Sequence, residues 1–157
     1  MRSPKVCVLR SAGTNCDQET AAAFSLAGAA AELLHINQLL SNKRTLDDFH
    51  ILALPGGFSY GDDIASGKIF ANELRFKLVD SLRKFIADDK LIIGICNGFQ
   101  ILVKSGLLPG DVNLNQTTSL IINDSGKFES RWVYLRGQRT EDRGQKCVWT
   151  KNLPEVI

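Results

Sequence analysis

Cys96 is the side chain best placed to act as a nucleophile in this 157-residue chain. It follows Leu91-Ile92-Ile93-Gly94-Ile95, an apolar run with the pattern of a buried strand. It precedes Asn97-Gly98-Phe99-Gln100-Ile101-Leu102-Val103, whose apolar spacing suits a helix. A reactive side chain between strand and helix, with glycine two residues before and two after, has the form of a nucleophile elbow. The turn there is sharp, and the reactive atom stands exposed above the sheet edge. A helix beginning at Asn97 directs its free N–H groups and its positive dipole end at the sulfur; both favour the thiolate, the nucleophilic form. Cysteine is otherwise most often a small buried hydrophobe, and the paired glycines are what separate Cys96 from that reading.

A second motif belongs to the same edge. Pro55-Gly56-Gly57-Phe58-Ser59-Tyr60-Gly61-Asp62-Asp63 follows the run His50-Ile51-Leu52-Ala53-Leu54, so its loop should emerge beside the elbow. Consecutive glycines let backbone N–H groups approach a ligand, and with the N–H after Cys96 they could hold the oxyanion of an attacked carbonyl. The spacing is not that of a phosphate loop, since neither G-x-x-x-x-G-K-[ST] nor G-x-G-x-x-G occurs. The four cysteines (Cys7, Cys16, Cys96, Cys147) contain no C-x-x-C pair, which argues against a zinc ribbon or a thioredoxin-type site. No metal site is expected. Cys7 lies in an apolar strand and reads as core, and the cysteine usage suits a reducing cytoplasm.

The elements that must hold these groups alternate over the first two-thirds of the chain. Val6 to Leu9 reads as a first strand. Asp17 is expected to cap a helix from Glu19 to Ala27, with Gly28 ending it. Ala31 to Ile36 and His50 to Leu54 read as the second and third strands. Asn72 is expected to cap a helix on which Leu74, Leu78, Leu82, Phe85 and Ile86 share a face, with Glu73/Lys77 and Asp80/Lys84 paired outside. Leu91 to Ile95 is the fourth strand. This rhythm implies a doubly wound, mostly parallel α/β sheet of flavodoxin-like kind with its site at the carboxyl ends of the strands. Beyond Gly106 and Pro109-Gly110 the texture changes. Ser119–Asn123, Phe128–Leu135 and Lys146–Thr150 are expected to form a short antiparallel extension on one domain spanning 1–157. A formal charge of +2 and the lack of a basic block argue against a nucleic-acid surface. No apolar stretch approaches membrane-spanning length, and the first residues lack the form of a signal peptide.

Leu54-Pro55-Gly56-Gly57 together with Gly94-Ile95-Cys96-Asn97-Gly98-Phe99-Gln100 resembles the class I (triad) glutamine amidotransferases. Longer stretches narrow the resemblance: Gly13-Thr14-Asn15-Cys16-Asp17, Gly56-Gly57-Phe58-Ser59-Tyr60-Gly61-Asp62, and Asn123 to Val133. These are similar to the family of glutaminase components of phosphoribosylformylglycinamidine synthases, and the similarity runs from Lys5 almost to the end. The resemblance implies that Cys96 attacks the side-chain amide of L-glutamine and forms a thioester. It places the oxyanion hole at the backbone of Gly57 and Asn97. Gln100, Phe128, Glu129 and Arg131 match positions that contact or border the bound glutamine. The ammonia would pass to a synthetase subunit or domain that carries ATP and Mg and aminates formylglycinamide ribonucleotide in purine synthesis. No cofactor is expected in this chain.

One departure matters. The family's triad is completed by a His-x-Glu placed after the region where this sequence stops. The only histidines here, His35 and His50, are not followed by such a glutamate. His50 opens the third strand, at the opposite sheet edge, roughly 13 Å from Cys96. His35 ends the second strand, and in a 2-1-3-4 order it would stand three strand spacings away, about 14 Å. Neither is within proton-transfer reach. The chain is therefore expected to be an N-terminal portion of the family domain, inactive by itself. Two alternatives stay open: a non-catalytic docking module of the same complex, and a cysteine hydrolase or glyoxalase-like relative. The last usually needs an acidic residue near the thiol, which Gly13-Thr14-Asn15 does not supply.

Overall fold

Four short apolar runs become the strands of one parallel sheet. The computed structural model describes residues 3–110, 113–135, 148–150 and 154. The strands are β1 (Lys5–Arg10), β2 (Ala30–His35), β3 (Ile51–Leu54) and β4 (Leu91–Gly94), in the order β2-β1-β3-β4 with every pairing parallel. The middle strands are covered on both faces: Val6 to Leu9 and Ile51 to Leu54 are all buried. That is why they read as continuous apolar runs and not as alternation. The helices are α1 (Asp17–Leu26), α2 (Ile36–Leu40), α3 (Lys68–Lys77), α4 (Val79–Ala87) and α5 (Asn97–Lys104). From β1 the chain moves outward to β2, then returns past β1 to β3 and β4. Right-handed crossovers therefore put α1 on one face and the later helices on the other. Phe49, Phe70, Phe85, Leu52, Leu74 and Leu82 form the centre of the core.

Several local expectations are corrected. Asp17 is not the cap of α1. Cys16 occupies that position without a side-chain cap bond, and Asp17 opens the first turn with its carboxylate 3.2 Å from the Arg10 guanidinium. Asn72 lies inside α3, which begins after Gly67, whose N–H donates to Asp62 Oδ1 at 2.9 Å. The long amphipathic pattern is broken at Leu78 (φ −119°), so two helices replace the expected one. Leu74, Leu78, Leu82 and Phe85 are buried as the spacing implies, but Ile86 is exposed. Lys77 and Glu73 pair at 3.3 Å; Lys84 instead reaches Asp47 at 2.6 Å and Asp88 at 3.6 Å, leaving Asp80 3.8 Å from Arg83.

The chain divides into two units, residues 1–120 and 121–157. The antiparallel extension is not formed among the described residues. Ser119–Asn123 and Phe128–Leu135 are irregular, and Val148–Thr150 makes a single 3-10 turn. Lys146 and Cys147 lie outside the described residues. A strand requires a neighbour to take up its N–H and C=O groups, and apolar, aromatic-rich sequence expresses its β-preference only against such a neighbour. In the second unit Ile121, Ile122, Phe128, Trp132 and Tyr134 are exposed. What holds it locally is a turn in which Gly126 N–H donates to Asn123 O at 2.8 Å and Asn123 Nδ2 to Lys127 O at 2.9 Å.

Candidate active site

Three loops leave the carboxyl ends of neighbouring strands and converge: residues 11–16 after β1, 55–63 after β3, and 95–96 after β4. This is the point where the strand order reverses, the usual place for a site in such sheets. At the elbow Cys96 has φ +53° and ψ −114°, while Gly98 N–H donates to Ile95 O at 2.9 Å and closes the turn. A non-glycine residue in that conformation costs of order 1–3 kcal/mol. The thiol is exposed and free. The strain thus sits on the cysteine itself, whereas Gly94 and Gly98 are required for close packing: a Cβ on Gly98 would lie 1.9 Å from Leu54 O, and one on Gly94 would lie 2.6 Å from the Gly98 backbone.

The glycine loop lies against the elbow, since a Cβ added to Gly56 would stand 3.3 Å from Cys96 Cβ. Gly57 has φ +109°, and a side chain there would meet Asn15 Oδ1 at 2.0 Å. Among the described residues no hydrogen bond takes up the N–H of Gly57 or of Asn97. Asn97 is buried, and its Nδ2 donates to Gly57 O (2.5 Å), Ser59 Oγ (3.1 Å) and Asp62 Oδ1 (3.3 Å). The loop is also tied to its surroundings by Tyr60, whose N–H donates to Ala12 O at 2.7 Å and whose hydroxyl donates to Glu73 Oε2 at 2.5 Å. Burial, reinforced by Glu73, raises the Tyr60 phenol well above its ordinary range, so it is a fixed donor at neutral pH.

Cys96, Gly57 and Asn97 are brought together; Gln100 is half-buried on α5, one turn beyond Cys96. Phe128, Glu129 and Arg131 belong to the second unit, where Glu129 accepts from Ser125 Oγ at 2.6 Å and lies 3.6 Å from Arg131. Neither histidine joins the elbow. His35 caps α2 with Nδ1 accepting from Asn37 N–H at 3.2 Å, and His50 Nδ1 accepts from Lys5 N–H at 3.0 Å, at the amino-terminal sheet edge. Cys7 is buried, which pushes its thiol up to about 12. No group of three His, Cys, Asp or Glu side chains suited to a metal occurs among the described residues.

Sequence reasoning on chemistry alone missed the loop after β1. Asn15 packs against Gly57, and Cys16 Sγ stands 3.8 Å from a Cβ built on Gly56. Its position after a central strand was the available signal. The amide of Asn97 was missed as well.

An exposed cysteine on a strained strand–helix turn, facing a glycine loop at the switch point of a parallel sheet, defines an α/β protein with a nucleophile elbow. More specifically, the chain belongs to the CobB/CobQ-like glutamine amidotransferase domain family, whose model matches residues 3–156. It is similar to the phosphoribosylformylglycinamidine synthase subunit PurQ of Dehalococcoides mccartyi, with 52% identity over 99% of this chain and 60% of the relative. The Methanococcus maripaludis subunit of the same name is 43% identical over 96% of this chain and 55% of its own length. Among solved structures, a chain of PurLQS from Thermotoga maritima matches with TM-score 0.66 and 37% identity, covering 85% of this chain and 55% of that one. The chain thus spans a little over half the length of these relatives. No helix among the described residues is long and apolar enough to cross a membrane.

Proposed function

We propose that this chain is the thioester-forming part of the glutaminase component of a phosphoribosylformylglycinamidine synthase, a single amidotransferase domain working in the cytoplasm. The observation that carries the reading is the juxtaposition of the strained Cys96 turn with two uncommitted backbone donors, Gly57 N–H and Asn97 N–H. The Cys96 thiolate attacks the side-chain amide carbon of L-glutamine, and the carbonyl electron pair moves onto oxygen. The two N–H groups hold that oxyanion, where one such donor is worth about 3–4 kcal/mol. Collapse expels ammonia and leaves a γ-glutamyl thioester on Cys96, which water then cleaves to glutamate. The resemblance assigns Gln100 to contact with the bound glutamine and Phe128, Glu129 and Arg131 to positions that border it. Protonating the departing ammonia and activating the water need an acid–base group that His35 and His50 do not provide. The resemblance assigns it to a His-x-Glu. Ammonia would then pass to a synthetase partner that holds ATP and Mg.

The docking-module alternative draws on the lack of a histidine at the elbow. Against it stands the strain at Cys96, which docking has no use for. Incubation with glutamine followed by acid quench and mass spectrometry tests the proposal. We expect a γ-glutamyl adduct on Cys96 that hydroxylamine discharges. A protein that stays unmodified although its Cys96 remains alkylatable would overturn it.

A further inference from the structure

We infer that the Asn97 side chain is a positioning residue that sets the two oxyanion donors in register, an inference that rests on the function proposed above. Asn97 plays two parts at once. Its backbone N–H is one donor of the hole, and its Nδ2 donates to the carbonyl of Gly57, whose own N–H is the other donor. A single residue thus ties the elbow to the glycine loop from opposite ends.

The loop needs such a tie. Gly57 and Gly61 have the positive φ that glycine adopts freely, but Tyr60 and Asp62 share it, and a non-glycine residue keeps that conformation only where its surroundings impose it. With no side chain at Gly57, its peptide orientation is set by what its backbone touches. Ser59 N–H meets Gly57 O at 3.2 Å, and Asn97 Nδ2 meets it at 2.5 Å. The same Nδ2 reaches Ser59 Oγ and Asp62 Oδ1, and Asp62 Oδ1 in turn receives the Gly67 N–H that opens α3. The amide orientation follows from this chemistry, since all three neighbours offer acceptor lone pairs and the opposite orientation would set oxygen against a carbonyl and a carboxylate.

The other end of the amide supports a role beyond packing. Among the described residues no donor reaches the buried Asn97 Oδ1, and a buried unsatisfied acceptor is destabilising. A side chain serving stability alone gains nothing from leaving that oxygen without a protein donor. Its benefit lies in the two N–H groups that Nδ2 shares among three acceptors of the loop, which fix the Gly57 peptide relative to the elbow. Hydrogen bonds to an oxyanion depend steeply on that placement.

The test separates positioning from folding by giving Cys96 two electrophiles. Iodoacetamide reports thiol exposure and ionisation and develops no oxyanion. The γ-(4-nitrophenyl) ester of glutamate forms the same tetrahedral oxyanion as glutamine, yet its leaving group needs no protonation, so acylation appears as a burst of nitrophenolate from the chain as it stands. Asn97→Ala should slow the burst by 10- to 100-fold and change iodoacetamide labelling of Cys96 by less than about threefold. Ser59→Ala, which removes one of three acceptors, should slow the burst by about three- to tenfold and serves if Asn97→Ala does not fold. Equal losses in both reactions, or an unchanged burst in the folded variants, would overturn the inference. A wild-type chain that alkylates at Cys96 but gives no burst would instead remove the functional proposal, and this inference with it.

Discussion

Gly98→Ala is the sharpest probe of how the elbow is built. Gly98 is in α5 with an ordinary helical backbone, so the substitution brings no φ strain, and helix propensity alone would favour alanine by about 1 kcal/mol. The new methyl, however, would sit 1.9 Å from Leu54 O, 2.7 Å from Leu54 C and 3.0 Å from Pro55 O, all backbone atoms of β3 and its exit. Ordinary contact begins near 3.4 Å, so α5 must retreat from the sheet by roughly 1.5 Å. That retreat would loosen Ile101 and Leu102, which are buried on the same helix. Overpacking typically costs about 1–3 kcal/mol. With backbone on both sides of the clash, a net loss of about 3 kcal/mol is expected, equivalent to about 6–12 °C in melting temperature for a domain of this size. Gly28→Ala is the control: φ is +87° but nothing lies within 4 Å, so only the left-handed strain of about 1 kcal/mol applies. Melting followed by circular dichroism should rank wild type, Gly28→Ala and Gly98→Ala in falling order. A Gly98→Ala protein that melts within about 2 °C of wild type, or above Gly28→Ala, would refute the packing argument.

Gly57→Ala should harm both chemistry and fold, contrary to the simple idea that the loop only presents backbone, because its Cβ would meet Asn15 and φ is +109°; lower melting together with slower acylation is the expected result. Burial pushes the Cys7 thiol from 9.0 to about 12. The folded chain therefore keeps this proton while the unfolded chain loses it above about pH 9, and this contribution to stability is fully present below pH 9 and lost as pH rises towards 12, by about 1.4 kcal/mol per unit. Cys7→Val should accordingly lose less stability than wild type between pH 8 and about 10 in denaturant titrations. Residues 1–157 should form the Cys96 thioester slowly, releasing one ammonia for each thioester, and should turn glutamine over more slowly still, because His35 and His50 do not supply acid–base help worth about 10²–10⁴-fold. Supplying a segment that bears His-x-Glu should raise turnover that depends on Cys96, measured by coupled ammonia assay, whereas full turnover by residues 1–157 alone would show that the base has been misplaced.

The apolar runs 6–9 and 51–54 were legible as strands because burial on both faces leaves no room for polar residues, and 91–94, half-buried at the sheet edge, was legible from its apolar, β-branched composition. The β-α-β rhythm implied parallel strands, and the β2-β1-β3-β4 order observed is the one assumed for a flavodoxin-like sheet. The elbow was legible because so few residue types permit close packing at 94 and 98. What failed depended on partners distant in sequence. Asp17 was drawn from capping by Arg10, Lys84 went to Asp47, and Asn72 stayed within a helix that begins at Lys68. Ser119–Asn123 and Phe128–Leu135 carry strand-like composition, but no neighbouring strand pairs with them among the described residues. The Asn97 network joins residues 35 to 40 positions apart, and no local pattern announces it.

Labelling with diazo-oxonorleucine, a glutamine-like electrophile, tests the assignment of Cys96 most directly. The native chain is treated near neutral pH with and without excess glutamine, digested, and the modified peptide identified by mass spectrometry. Cys96 should carry a single adduct that glutamine suppresses, while Cys7, being buried, stays unmodified. Preferential labelling of the exposed Cys16, equal labelling of several cysteines, or an adduct on Cys96 that glutamine does not suppress would contradict it.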